Sequence, residues 1–239
     1  MQSLNLKQLQ IYQDGANIDD VKNTANEKII SGYTTNPSLM SKENFKSYEQ
    51  QCRLLASSTA KKPISFEVFA DDIDQIIAEA SIISTWGENV FVKVPCINTR
   101  GESCSPAIKH LSELKIKLNI TAVFTENQVD DILGNLNANS EAIISVFAGR
   151  IADTGVDPVP LISKCVEKVS SHENFKILWA SPREILNLYQ ARDCGCHIIT
   201  MTPDLIKKIS LFNKSLEEFS QETVKMFFDD ANAAGLSVS

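Results

Sequence analysis

In Val90-Phe91-Val92-Lys93-Val94-Pro95 the valines fall on one parity, and Phe91 and Lys93 on the other. Alternate side chains of a strand point to opposite faces, so a valine face packs against helices while Lys93 points toward an interior. A lysine of ordinary pKa, about 10.4, offers less than about one part in a thousand as free amine at neutral pH. Enclosure among apolar walls disfavours the ammonium and makes the amine a nucleophile for carbonyl carbon. Other reactive groups share this alternation. Ser65 and Glu67 alternate with Ile64, Phe66 and Val68, while Asn119 and Thr121 fall together in the next strand pattern but one. Ser145 and Phe147 alternate with Ile144, Val146 and Ala148, Thr34 and Asn36 share a parity, and Asp14 ends the first apolar stretch.

One such strand is ordinarily the solvated face of an antiparallel sheet. Five or six of them, separated by helical segments, cannot all face water, so their polar parities must converge on one pocket. A buried Lys93–Glu67 ion pair serving structure alone is the simpler alternative. It does not require a ring of Asp, Asn, Thr and Ser around it, whereas a polyhydroxylated substrate does. Arg150 follows Ser145-Val146-Phe147-Ala148-Gly149, and Arg183 follows Ala180-Ser181-Pro182. Either could be a plain surface cation. Their guanidinium forks nevertheless match phosphate oxygens, in the loops where parallel barrels commonly hold phosphate.

The elements that must position these groups recur regularly. Strand patterns run over Gln10–Asp14, Gly32–Asn36, Ile64–Phe69, Val90–Pro95, Lys117–Val123, Ile143–Phe147, Ile177–Ser181 and Ile198–Met201. Helical patterns fill the gaps over Ile18–Ile30, Lys42–Ser57, Ile73–Trp86, Pro106–Leu114, Asn127–Leu136, Val159–Val169, Pro182–Arg192 and Pro203–Ile209. Pro158, Pro182 and Pro203 stand where a helix begins, a position at which proline costs no hydrogen bond. Eight strand–helix units predict an α/β protein, a single (β/α)8 TIM barrel over residues 1–239, with a doubly wound open sheet as the competitor. At such barrels' strand C-termini, polar residues of one parity meet. An extra helix over 213–235 carries Leu216, Phe219, Met226, Phe227 and Phe228; that apolar stripe needs cover, by its own barrel or by another subunit, and favours a homo-oligomer.

Composition excludes several classes. With 43% hydrophobic and 22% charged residues among 239, and only 9 Gly and 8 Pro, the chain is neither disordered nor fibrous. A net charge of −7, with both signs mixed along the length, argues against nucleic acid as a partner. No apolar run approaches the ~18 residues of a membrane span, and the start, Met1 to Lys7, lacks a secretory pattern, so a cytoplasmic protein is expected. Cysteines at 52, 96, 104, 165, 194 and 196 lack paired C-x-x-C units; free thiols are expected and no metal site.

Taken in order, these residues resemble the transaldolase family, including its compact relatives the fructose-6-phosphate aldolases. The matching motifs are Asp14-Gly15-Ala16-Asn17, Thr34-Thr35-Asn36-Pro37-Ser38, Val92-Lys93-Val94-Pro95, Asn119-Ile120-Thr121, Ser145-Val146-Phe147-Ala148-Gly149-Arg150-Ile151 and Ala180-Ser181. The resemblance implies a reaction without cofactor. Lys93 would form a Schiff base with a ketose phosphate, Asp14 would take the C4 hydroxyl proton, and Glu67 and Thr121 would position the water of imine formation and hydrolysis. Asn36, Asn119, Ser145 and Ser181 would bind the substrate, with Arg150 and Arg183 on its phosphate. Glu67 and Phe147 look like the transferring members; the aldolase members resemble Gln and Tyr there. The chain departs from the pattern in its compact length, in Gln13 before the Asp, and in Pro182 between Ser181 and Arg183. The expected activity is transaldolase, carrying dihydroxyacetone between sugar phosphates of the pentose phosphate pathway. Reversible cleavage of fructose 6-phosphate and noncatalytic sugar-phosphate binding are the alternatives.

Overall fold

Eight short strands account for the barrel wall: β1 Gln10–Asp14, β2 Ile30–Thr34, β3 Ile64–Glu67, β4 Val90–Pro95, β5 Leu118–Val123, β6 Ala142–Val146, β7 Phe175–Trp179 and β8 Ile198–Met201. In the computed structural model, which describes residue 6 and residues 8–238, they pair in parallel and in chain order, and β8 pairs back onto β1 to close the barrel. The start of the chain, on which the expectation of no secretory leader rests, lies outside the described residues apart from Leu6.

Between the strands run α1 Ile18–Thr24, α2 Pro37–Met40, α3 Tyr48–Ser58, α4 Ile73–Ser84, α5 Ser105–Glu113, α6 Glu126–Asn135, α7 Ala148–Asp153, α8 Val159–Val169, α9 Leu186–Asp193 and α10 Pro203–Lys207. Their starts are written in the sequence as caps. Asn17 accepts the N–H groups of Asp19 and Asp20, and Thr125 forms a capping box with Gln128. The apolar parities of the strands meet the buried stripes of the helices: Val90, Val92 and Val94 are buried, as are Ile76, Ala80 and Ile83 of α4 and Ala107, Ile108 and Leu111 of α5. The chain divides into two compact units, one ending at Ile206 and one beginning at Lys207. The second holds α11, Leu216–Ala233, capped by Ser215. Leu216, Phe219, Met226, Phe227 and Phe228 on it are all exposed.

Several elements differ from expectation, most by one or two residues at an end. β2 ends at Thr34 because Asn36 leaves the strand to cap α2, accepting Leu39 N–H at 2.9 Å with Pro37 as the first helical residue. α3 begins only at Tyr48, where Ser47 supplies the cap. Pro182 does not open a helix: Ser181 has φ +60°, and Asn187 accepts the N–H groups of Arg183 and Glu184, so a loop runs on to Leu186. α7 was not foreseen, since its six residues follow β6 after a single turn residue and show no periodic stripe.

Inside the barrel, strand register stacks the interior side chains in layers. Tyr12, Phe91, Ile143, Leu178, Ala180 and Ile198 form one apolar cluster. Tyr12 lies in register with Gly32, and its ring occupies the space a side chain there would fill: a Cβ on Gly32 would sit 2.5 Å from Tyr12 Cζ. Gly32→Ala is therefore expected to destabilise the fold by roughly 1–3 kcal/mol through overpacking. Urea denaturation should show a lower midpoint with an unchanged slope.

Candidate active site

Strand register decides which polar groups meet. Glu67 pairs with Lys93 across β3 and β4, Lys93 with Asn119 across β4 and β5, Pro95 with Thr121, and Asp14 with Thr34 across β1 and β2. At the C-terminal ends of the strands these groups line a cavity of about 430 Å³. Asp14, Asn36, Glu67, Lys93, Thr121, Ser145, Phe147, Arg150 and Ser181 all stand on its wall.

Lys93 is 8% exposed, and its ammonium donates to Glu67 Oε1 at 2.7 Å and to the Thr35 carbonyl at 2.6 Å. The expected apolar walls are thus replaced by a carboxylate and a carbonyl. Glu67 is fixed in turn. Its Oε2 accepts the Thr35 hydroxyl at 3.0 Å, and its backbone N–H and carbonyl both meet the Tyr48 hydroxyl, which accepts at 3.1 Å and donates at 3.2 Å. The Tyr48 ring is wedged against Phe69 and Trp86, so the hydroxyl has little freedom to move.

Asp14 sits in a different setting. Its carboxylate accepts the Thr34 hydroxyl at 2.7 Å and the Asn36 amide at 3.3 Å, and Thr34 also shares a short hydrogen bond with Thr200. Burial holds the Asp14 carboxyl above its ordinary 3.8 and Glu67 adds to that, while the Lys93 charge and the two hydrogen bonds oppose it. Deeper still, Ser145 donates to Asn119 Oδ1 at 2.6 Å, and Asn119 Nδ2 donates to Ser65 at 3.0 Å. Asn119 is wholly buried and lies behind the cavity wall, contrary to its expected place against a substrate. Thr121 Oγ1 is buried with no hydrogen-bond partner among the described residues, on the wall beside Lys93.

The two arginines part company. Arg150 stands on the cavity wall with its guanidinium 5.7 Å from the Phe147 ring centre, and Phe147 stacks on Phe124. Arg183 is not on that wall. It is half-exposed and forks onto Asp153 through Nε and Nη2, beside Gly149. Gly149 is required for this packing, because a Cβ there would overlap the Ser181 carbonyl oxygen at 1.5 Å. Ala122 and Ser181, both on the cavity wall, hold left-handed backbone at φ +59° and +60°, conformations that non-glycine residues adopt at a cost.

A family model described as Transaldolase/Fructose-6-phosphate aldolase matches residues 11–238. The chain belongs to the transaldolase/fructose-6-phosphate aldolase family. It is 32% identical over 220 residues to a probable transaldolase 2 of Listeria monocytogenes, covering 90% of this chain and 95% of that one. It is 36% identical over 194 residues to a probable transaldolase of Roseiflexus castenholzii, covering 80% and 85%. Among solved structures it resembles a putative phosphonomutase from Burkholderia cenocepacia, with TM-score 0.55, 9% identity and coverage of 91% and 95%. KGPDC from Streptococcus mutans is similar at TM-score 0.53 and 12% identity, covering 82% and 88%. At such identities the two structures speak for the barrel fold alone.

Within this transaldolase-family barrel, sequence reasoning missed Thr35, Tyr48 and Thr200. Thr200 shares its parity with Ile198 in β8, so the alternation rule that selected Ser145 could have found it. Thr35 lies one residue past the end of β2 and acts through both its hydroxyl and its carbonyl. Tyr48 carries no signal, since its contact with Glu67 spans 19 residues and depends on how α3 packs.

The Asp14 environment sets a trade between stability and reactivity. A carboxyl with a raised native pKa leaves the fold most stable below its unfolded value, with stability lost as pH rises through the native value. Asp14→Asn is therefore expected to raise the melting temperature at pH 7 and to lose that advantage below about pH 3.8, measured by calorimetry across pH. The same substitution should cost roughly 10²- to 10⁴-fold in kcat if Asp14 is the proton acceptor.

Proposed function

We propose that this chain is a transaldolase. It would transfer a dihydroxyacetone unit from sedoheptulose 7-phosphate or fructose 6-phosphate to glyceraldehyde 3-phosphate or erythrose 4-phosphate, through a Schiff base on Lys93. The observation that carries the reading is an enclosed amine hydrogen-bonded to one carboxylate, with a second carboxylate lining the same cavity.

In this mechanism the ammonium of Lys93 gives a proton to Glu67, and the freed amine attacks the ketose C2. Loss of water leaves an iminium, whose positive nitrogen draws electrons from the C3–C4 bond. Asp14 removes the C4 hydroxyl proton, C3–C4 breaks, and the aldose phosphate departs, leaving an enamine on Lys93. The enamine carbon then attacks the acceptor aldehyde, Asp14 returns the proton to the new hydroxyl, and water releases the product. Glu67 and the Thr121 hydroxyl, which has no partner among the described residues, position that water. Asn36 and Ser145 bind hydroxyls of the three-carbon fragment, with Asn119 behind holding Ser145 in place.

Arg150 and Ser181 meet the phosphate from the cavity wall, and Arg183, forked onto Asp153 beside Gly149, braces the adjoining loop. No cofactor takes part. The pentose phosphate pathway and the cytoplasm are the corresponding setting. No helix among the described residues is long and apolar enough to span a membrane. The exposed aromatic face of α11 supports a homo-oligomer, in which a second copy would cover Phe227 and Phe228.

Borohydride reduction in the presence of fructose 6-phosphate is expected to fix a covalent adduct on Lys93, located by peptide mass mapping. An unmodified Lys93 would identify a noncatalytic sugar-phosphate binder instead. Phe147 offers no hydroxyl to protonate the enamine, which favours transfer over cleavage. Phe147→Tyr should therefore raise the release of free dihydroxyacetone without acceptor by roughly tenfold or more. Equal release by parent and variant would remove Phe147 from this role.

A further inference from the structure

A second cavity opens at the other end of the barrel, where the strands begin. It is larger than the candidate active site, about 550 Å³ against about 430 Å³. Its floor is made by the undersides of Tyr12, Phe91 and Ile143, members of the apolar cluster that fills the barrel. Its rim carries Arg53, Lys61, Lys117 and Lys176 against only Glu88 and Glu141. That local excess of positive charge stands out in a chain of net charge −7.

Two features go beyond a chance gathering of surface lysines. The first is which charges are already matched. Lys117 pairs with Glu141 at 3.3 Å and Arg53 with Glu49 at 2.9 Å, whereas no ion pair among the described residues engages Lys61 or Lys176. Lys117 and Lys176 also share the parity of Asn119 and Leu178 on their strands, so the barrel aims both toward its axis.

The second feature is the Tyr12 hydroxyl. The Tyr12 ring is buried, but its hydroxyl is not among the enclosed unpartnered groups: the residue lines this cavity, and no hydrogen bond among the described residues engages its oxygen. A phenol that reaches a cavity from an otherwise buried ring is free to donate to a ligand there. Burial, reinforced by Glu141, pushes the phenol up to about 12, so it stays a proton donor throughout the neutral range. A donor at the floor and two ammonium groups outside any ion pair among the described residues line one space.

We propose that this cavity is a binding site for a small anionic metabolite, with the phosphate or carboxylate group held by Lys61, Lys176 and the Tyr12 hydroxyl and the remainder resting on Phe91, Ile143 and Trp86. Its volume falls within the range of small-molecule sites. The site is separate from the Lys93 cavity, since the two share no lining residue, and it stands whether or not Lys93 forms an imine.

The test is calorimetric titration at constant ionic strength with inorganic phosphate, pyrophosphate and citrate, using Arg150→Ala/Arg183→Ala protein to remove the guanidinium groups proposed to meet phosphate at the other cavity. One saturable site is expected. Pyrophosphate binding more tightly than citrate would assign a phosphate ligand, and the reverse order a polycarboxylate. Tyr12→Phe keeps the ring in place over Gly32 and removes only the donor, so it should weaken binding about tenfold, as should Lys61→Met/Lys176→Met. Melting curves without anion check that each variant is folded. Absence of saturable heat, or unchanged affinity in either folded variant, would overturn the proposal.

Discussion

Burying an ammonium and a carboxylate together is tolerable only when nearly every lone pair and proton on both is satisfied; otherwise the lost hydration outweighs the attraction. Neighbours engage two of the three Lys93 ammonium protons and one acceptor site on each Glu67 oxygen. The Thr35 carbonyl takes a second proton of the ammonium, the Thr35 hydroxyl takes the second carboxylate oxygen, and Tyr48 clamps the Glu67 backbone. Register between β3 and β4 places the two residues opposite one another, and a slip of one residue would send Lys93 into the helix layer. The barrel is therefore the device that makes this pair possible. Removing one member of such a pair costs ~3–5 kcal/mol in general, because the other is left charged and enclosed.

The second carboxylate answers to different neighbours. Glu67 faces a cation, while Asp14 is held by a hydroxyl and an amide, with Thr200 behind the hydroxyl. Two carboxyl groups in one pocket thus receive different environments, the kind of division on which the proposed mechanism relies for one to exchange protons with the amine and the other with substrate. Both environments depend on residues at strand ends, where the backbone turns from sheet to loop. Ala122 and Ser181 carry left-handed backbone at those turns, and Gly149 lets the Ser181 carbonyl approach more closely than any side chain would allow.

Much of this was legible in the sequence because a strand's alternation is a geometric rule. Lys93, Glu67, Thr121 and Ser145 share one parity in four separate strands, and a closed barrel leaves that parity only one direction to point. The edges of elements were less legible, since they are set by single capping contacts: Asn36 stops β2, Ser47 delays α3, and Asn187 holds residues 183–184 out of α9. Depth along the barrel axis was not legible at all. Asn119 has the right parity but is wholly buried behind the cavity wall, bonded to Ser145 and Ser65, and Arg183 has the right spacing but finds Asp153 first. Parity tells which way a side chain points, not which layer it occupies or which neighbour reaches it.

That layering also explains how one barrel supports two unlike ends. Toward the strand C-termini the interior carries hydroxyls, amides and the ion pair; one step toward the N-termini, Tyr12, Phe91, Ile143 and Leu178 close the axis with apolar surface. Tyr12 lies two residues before Asp14, Phe91 two before Lys93, and Ile143 two before Ser145, so each of these strands contributes to both the polar layer and the plug beneath it. The plug keeps solvent from reaching the ion pair from below, which preserves the low polarizability that makes the pair's hydrogen bonds strong. Its underside is the floor of the second cavity. A group resting there would press on the same side chains that support the layer carrying Lys93. Because interiors are close-packed, a displacement of Tyr12 or Phe91 has little free volume in which to be absorbed.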